Sequence, residues 1–182
     1  MTRSSVIARP VPVSRTMEDA FLCALDGNLA GMCTALDLGV PVDARNERGQ
    51  TLLHVVCASG NVDAARLLLE RGADPEARSA RGFTPLTTAV LNAERRLPTL
   101  LLNHGADPNG RGPHGLTALM FAAMIDCVEL VGLLLENGAK AELALPNGMT
   151  ALSMAIGMGS RRATQLLLAS PRSARDVKPV QV

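Results

Sequence analysis

Three histidines, four cysteines and a phased row of arginines are the side chains in this sequence best suited to chemistry. His54, His104 and His114 stand apart from one another, and none has carboxylates or cysteines at the spacing of a zinc site. Cys23, Cys33, Cys57 and Cys127 form no Cys-x-x-Cys pair. Neither a glycine-rich phosphate loop nor a nucleophile elbow is present. An enzyme would have to gather acid, base and nucleophile from distant segments without leaving a local motif. No catalytic residue, metal or cofactor is therefore assigned. The thiols are expected to be inert core side chains of a reducing compartment, with a disulfide or metal site as the alternative. The arginines form a pattern of their own. Arg45 and Arg48, Arg78 and Arg81, then Arg111 and His114 recur three residues apart within a group and 33 apart between groups, until the pattern lapses at Ala144 and Asn147. Stacked copies would align them as a ladder of guanidiniums, whose planar fork suits carboxylate-rich or phosphorylated partners. The alternative is ordinary solvation and pairing with Asp43, Glu47 and Glu76.

What positions these residues is a repeat. Gly49, Gly82, Gly115 and Gly148 lie 33 residues apart, and each is followed two residues later by Thr51, Thr84, Thr117 and Thr150. Gly39, Gly72, Gly105 and Gly138 keep the same interval, as do the leucine triplets that begin at Leu67, Leu100, Leu133 and Leu166. A period of this length means one supersecondary unit copied along the chain, each copy too small to bury its own apolar face and so stacked on its neighbours. In the copy over 46–78, Asn46 to Gly49 is turn chemistry and Thr51 can cap a short helix reaching Ala58 or Ser59. Gly60-Asn61 breaks it. Val62 to Arg71 reads as a second helix with a leucine stripe, ended by Gly72 in the left-handed conformation. Pro98 falls inside the second helix of the next copy, which predicts a late start near Leu97 so that the proline sits in the first turn.

Gly-Gln-Thr-Leu-Leu-His at 49–54, Gly-Phe-Thr-Pro-Leu at 82–86 and Leu-Leu-Leu-Glu-Arg-Gly-Ala-Asp-Pro at 67–75 resemble the ankyrin repeat, with Leu52 where that family usually carries proline. The resemblance implies an all-α solenoid of about five helix-turn-helix repeats with short β-turn fingers, over 17–45, 46–78, 79–111, 112–144 and 145–170. The first and last copies lack parts of the motif and are expected to serve as caps; Arg161 and Arg162 polarise the last. The histidine that ties ankyrin repeats together is kept only as His54, with Thr87, Met120 and Ser153 at the matching places.

The resemblance also implies partner contacts at the finger tips and along a concave groove lined by the first helices. Carried over by position, these are Arg48, Arg81 and His114 on the fingers, with Gln50, Phe83, Leu116 and Met149 beside them. The groove ends of the later first helices add Leu91, Met124, Ile125 and Met158. Copies three to five therefore offer an apolar, methionine-containing groove where solvent would normally demand polar side chains. Two alternatives stand beside partner binding: the residues pack against each other between repeats, or the groove is filled in cis by Val6-Ile7 and Val11-Val13 or by Val180-Val182. The function implied is a protein-interaction module for a partner with an apolar segment flanked by acidic or phosphorylated residues. Alternatives are a stoichiometric inhibitor or regulatory subunit, a secreted effector acting on a host protein and, more distantly, an enzyme.

Composition bounds the rest. The chain of 182 residues is 47% hydrophobic with no Trp or Tyr, enough for one elongated domain with a core of Leu, Ala, Val and Met. No apolar run approaches a membrane span, and the expected protein is a monomer of the cytoplasm, of the nucleus, or delivered into a host cell. The net charge of +1 hides a segregation. Residues 1–16 carry three arginines and no acid, and residues 171–182 carry Arg172, Arg175 and Lys178 against Asp176, leaving the body at about −4. Both ends are expected to be disordered basic tails. Nucleic acid is an unsuited partner for an acidic body whose arginines are not interleaved with aromatic side chains.

Overall fold

The computed structural model describes residues 13–170. Ten α-helices form five antiparallel pairs: α1 Val13–Asp26 with α2 Leu29–Asp37, α3 Leu52–Ser59 with α4 Val62–Glu70, α5 Pro85–Val90 with α6 Arg96–Asn103, α7 Ala118–Met124 with α8 Val128–Glu136, and α9 Ala151–Met158 with α10 Arg161–Ala169. Each first helix packs on the first helix of the next pair, so the pairs stack into a single row. None of the described helices is long and apolar enough to cross a membrane. The expected arms at 1–16 and 171–182 lie largely outside the described residues, but α1 opens at Val13, earlier than an arm ending at 16 allows.

The threonines start the first helices. Thr51, Thr84, Thr117 and Thr150 are the N-caps of α3, α5, α7 and α9, and each side chain accepts the amide of the residue three positions on. At His54, Thr87 and Ser153 the side chain reaches back to the cap amide and completes a capping box. A hydroxyl thus replaces the imidazole locally. Only His54 also crosses to the next copy, with its Nε2 2.8 Å from the carbonyl of Phe83. The fingers between pairs close through a recurring backbone bond, from Asn46 N–H to Gln50 C=O, Ser79 to Phe83, Gly112 to Leu116 and Leu145 to Met149. Gly49 is needed in its finger twice over: its φ is +65°, and a Cβ there would lie 2.8 Å from the amide nitrogen of Ala80.

The core is a continuous seam. Leu68, Leu101, Leu134 and Leu167, one in each of the second to fifth repeats, are fully buried, as are Leu53, Leu86 and Leu119 at the base of the first helices. Pro98 is the third residue of α6, within its first turn as expected, although the helix opens at Arg96 instead of Leu97. The turn out of each first helix needs a left-handed residue, which Gly60 and Gly159 supply, while Ala93 and Asp126 occupy the same position with φ of 56°. Ala93 has no side-chain oxygen to offset that conformation. Ala93→Gly is expected to raise stability by about 1 kcal/mol. A urea midpoint that fails to rise would show that the turn carries no strain.

The ends of the row correct one expectation. At the first pair, Asp19 is exposed where its counterparts Leu52, Pro85, Ala118 and Ala151 are buried, but Leu22, Leu25, Leu29 and Leu38 of the same repeat are exposed as well. The last pair is not a polar cap. Ile156 is 60% exposed, whereas Ala24, Cys57, Val90 and Ala123 at the same position are fully buried. Arg162 does not screen this face, because it reaches back to Glu129 of the preceding repeat at 3.4 Å. Apolar surface is left where a following repeat would sit.

Candidate functional site

The finger arginines divide into two kinds. Arg45 donates from Nη1 to the carbonyl of Gly49 at 2.8 Å and to that of Arg78 in the next finger at 2.5 Å. Arg111 does the same two repeats further on, bonding Gly115 O of its own finger at 3.2 Å and Ala144 O of the next at 3.3 Å. These two staple neighbouring fingers together. Arg48 and Arg81, three residues further on, stand exposed at the finger tips. His114, in phase with them, is exposed on the short 3-10 turn Pro113–Gly115 with φ of 56°.

Among the described residues no ion pair joins a finger arginine to Asp43, Glu47 or Glu76, the acids of the other reading, although the Arg78 charge is felt at Glu76. Ion pairs among the described residues join Arg71 to Asp37, Arg95 to Glu136 and Arg162 to Glu129, away from the fingers. Asp43 and Glu76 instead accept backbone amides: Asp43 Oδ1 takes the N–H of Asp74 at 3.1 Å and Glu76 Oε1 that of Asp107 at 2.9 Å. Asn109 continues the series by accepting from Lys140 at 2.8 Å. These rungs join each repeat to the next. Burial holds the Glu76 carboxyl above the usual carboxylate range, against the opposing pull of the Asp107 amide. The signal was present in the sequence, since positions 43, 76 and 109 lie 33 apart and all carry a side-chain oxygen.

Between the fingers the first helices leave two hollows. One, of about 650 Å³, is lined by Arg48, Gln50, Ser79, Arg81, Phe83 and Leu91. The other, of about 960 Å³, lies one repeat earlier against Met17, Phe21, Leu22, Leu25, Arg45, Arg48 and Val55. Arg48 belongs to both and stands as the wall between them. The second hollow was missed in the sequence because the first copy lacks the finger motif. Extending the phase back by 33 from Gln50, Val55 and Ala58 gives Met17, Leu22 and Leu25, and would have found it.

The expected apolar row is exposed only in part. Leu91, Ile125, Met149 and Met158 are open to solvent. Phe83, Leu116 and Met124 are half-buried, a correction to the expectation of a fully open row. Leu116 and Met124 pack against the core, and the Phe83 ring stacks on Phe121 with centroids 6.2 Å apart. These three therefore help to build the floor, with packing between repeats accounting for much of their placement.

The thiols also depart from a uniform core assignment. Cys57 is buried, and burial pushes its thiol far up, away from the reactive thiolate. Cys23, Cys33 and Cys127 are only half-buried, and the Cys127 thiol lies 3.8 Å from the carbonyl of Ala93. Among the described residues no group of three or more His, Cys, Asp or Glu side chains is placed to hold a metal.

The arrangement offers cationic tips over apolar hollows on a row of stacked helix pairs. A family model described as ankyrin repeats (3 copies) matches residues 20–112 and, in a second overlapping match, 98–178. No curated protein matches the chain. Motif, period and helix pairing agree with that match over most of the length, and the chain belongs to the ankyrin repeat family.

Proposed function

We propose that this protein binds a partner protein through the hollow between its second and third repeats, taking a segment with an apolar side chain flanked by acidic or phosphorylated residues. Repeats of this family generally mediate protein–protein interaction. The observation that carries the finer reading is the pairing of two exposed guanidiniums, Arg48 and Arg81, with Leu91 and the edge of Phe83 in one hollow of about 650 Å³. A carboxylate or phosphate satisfies the planar forks bidentately, and an apolar side chain seated on Leu91 removes surface from water. Ile125, Met149 and Met158 extend the same apolar character along the later repeats, with His114 beside them.

Peptides selected from a displayed library against the intact chain test this. Binders are expected to be rich in Asp, Glu or phosphoserine beside an aliphatic or aromatic residue. Arg48→Ala combined with Arg81→Ala should weaken them about tenfold, mainly by slowing association, and the loss should shrink at high salt. Leu91→Ser should cost a further factor of about ten through dissociation, in line with the roughly 1–2 kcal/mol of a truncated anchor. Selected peptides that bind the arginine variant and the Leu91 variant at parental affinity would move the interface away from this hollow.

A further inference from the structure

Asn109, Asn137 and Asn147 each precede a glycine. Such a pair is chemically labile, because glycine has no Cβ to keep its amide nitrogen away from the preceding side chain. We propose that Asn147 is a site of self-modification, where the Gly148 nitrogen attacks the Asn147 side-chain amide and the finger tip acquires a negative charge, while the fold protects Asn109 and Asn137. The attack forms a bond from Gly148 N to Asn147 Cγ and closes a cyclic imide. The Cγ–Nδ2 bond breaks, and Nδ2 leaves as ammonia with the proton that the Gly148 amide gives up. Water then opens the ring at either carbonyl, giving aspartate or, with the main chain rerouted through the side chain, isoaspartate. Nothing is oxidised or reduced, and water is the co-reactant.

The fold treats the three sites differently. Asn109 is clamped at both ends of its side chain: Nδ2 donates to Gly138 O at 3.1 Å and Oδ1 accepts the Lys140 amide at 2.8 Å, so turning toward Gly110 breaks two bonds between repeats. Asn137 closes α8. Its Nδ2 is held by Leu133 O at 2.8 Å, and the amides of Gly138 and buried Ala139 bond back to Leu135 and Leu134. Reaction at either place first requires a joint or a helix end to open. Asn147 is exposed, and among the described residues its side chain makes one bond, from the Met149 amide to Oδ1 at 3.1 Å, inside its own finger. That bond leaves Nδ2 free to depart and steadies the oxygen on which charge gathers during the attack.

The last described finger is also the one on which nothing leans. A Cβ on Gly49, Gly82 or Gly115 would lie within 4 Å of the next finger, at Ala80, Pro113 and Leu145, whereas at Gly148 it would meet nothing. The carbonyl of Arg48, the residue in phase with Asn147, is held by the Ala80 amide at 3.2 Å. No such neighbour follows Asn147 among the described residues. The attack needs the turn to open, since the Gly148 amide donates to Leu145 O at 2.8 Å, and an unbuttressed turn opens most readily. The new carboxylate falls in phase with Arg48, Arg81 and His114, so that edge ends on the opposite charge.

The test incubates the full chain at mildly alkaline pH and follows each asparagine by peptide mapping, with the urea-unfolded chain as reference. Unfolded, the three pairs should convert at similar rates. Folded, Asn147 should stay within about tenfold of its unfolded rate, while Asn109 and Asn137 should fall about a hundredfold or more below theirs. Fragmentation that separates isoaspartate from aspartate should find both at 147. In the unfolded chain, where the left-handed turn is gone, Gly148→Ala should slow conversion there about tenfold by placing a Cβ beside the attacking nitrogen. Conversion of Asn109 or Asn137 in the folded chain as fast as that of Asn147, protection of all three alike, or aspartate without isoaspartate would each overturn the proposal.

Discussion

Replacing Leu134 with alanine is expected to lower stability by about 2–5 kcal/mol, because the side chain is fully buried and its loss leaves a cavity on top of the lost transfer energy. The location of the damage is as informative as its size. Leu134 lies in α8, which packs on α7 within its own pair and on α10 of the next. In a row held by nearest-neighbour contacts, the last two repeats should loosen first while α3 and α4 keep their protection. Thermal unfolding shows the first effect and hydrogen exchange the second. A midpoint equal to that of the parent would mean that the 33-residue phase has been drawn one step out of register.

His54→Ala is expected to cost about 2–4 kcal/mol, from a cavity and from buried polar groups, Thr51 N–H and Phe83 C=O, left without this partner. His54→Thr separates the two roles, because threonine at the same place in the next repeat rebuilds the local capping box. That variant should keep the local capping bonds and lose the bond to Phe83 and part of the packing of the buried ring, about 1–2 kcal/mol. Acid acts on the same contact. Burial, the largest influence, lowers the imidazole pKa below its ordinary 6.5, with Arg45 adding to the shift and the Phe83 carbonyl opposing it. The unfolded chain then binds the proton more readily than the folded one. The contribution of His54 is thus fully present above about pH 6.5 and is lost as pH falls through the lower folded value. The difference between parent and His54→Thr, followed by urea unfolding from pH 7.5 downward, should shrink as the pH falls. A difference that stays constant would place the imidazole outside the stabilising contact.

The fold was legible because its determinants are local and repeated. Thr51 and its three counterparts cap helices wherever they occur, and the leucine triplets bury one stripe in each copy. The candidate surface was less legible, since exposure depends on neighbours that lie 33 residues away. Phe83 and Leu91 look alike as apolar residues on a groove, yet Phe83 is held by Phe121 from the next repeat and Leu91 is open. Arg45 and Arg48 share a finger and a residue type, but only the first lies within reach of the adjoining carbonyl. The last repeat was misread for the same reason. Arg161 and Arg162 suggest a polar cap by composition, while Ile156 in the same repeat stands exposed where its counterparts are buried.

The rungs at Asp43, Glu76 and Asn109 have an evolutionary corollary. In each, the donor is a main-chain amide, which any residue other than proline supplies, and the acceptor is satisfied by aspartate, glutamate or asparagine alike. Neither half of the joint depends on the identity of the other. Genetic recombination between corresponding points of two repeats would therefore delete or duplicate a whole unit and still leave every joint with a working donor and acceptor. Such an exchange changes the gene by 99 base pairs, three for each of the 33 residues, and leaves this class of joint intact, whereas side-chain pairs such as Phe83 on Phe121 depend on both partners.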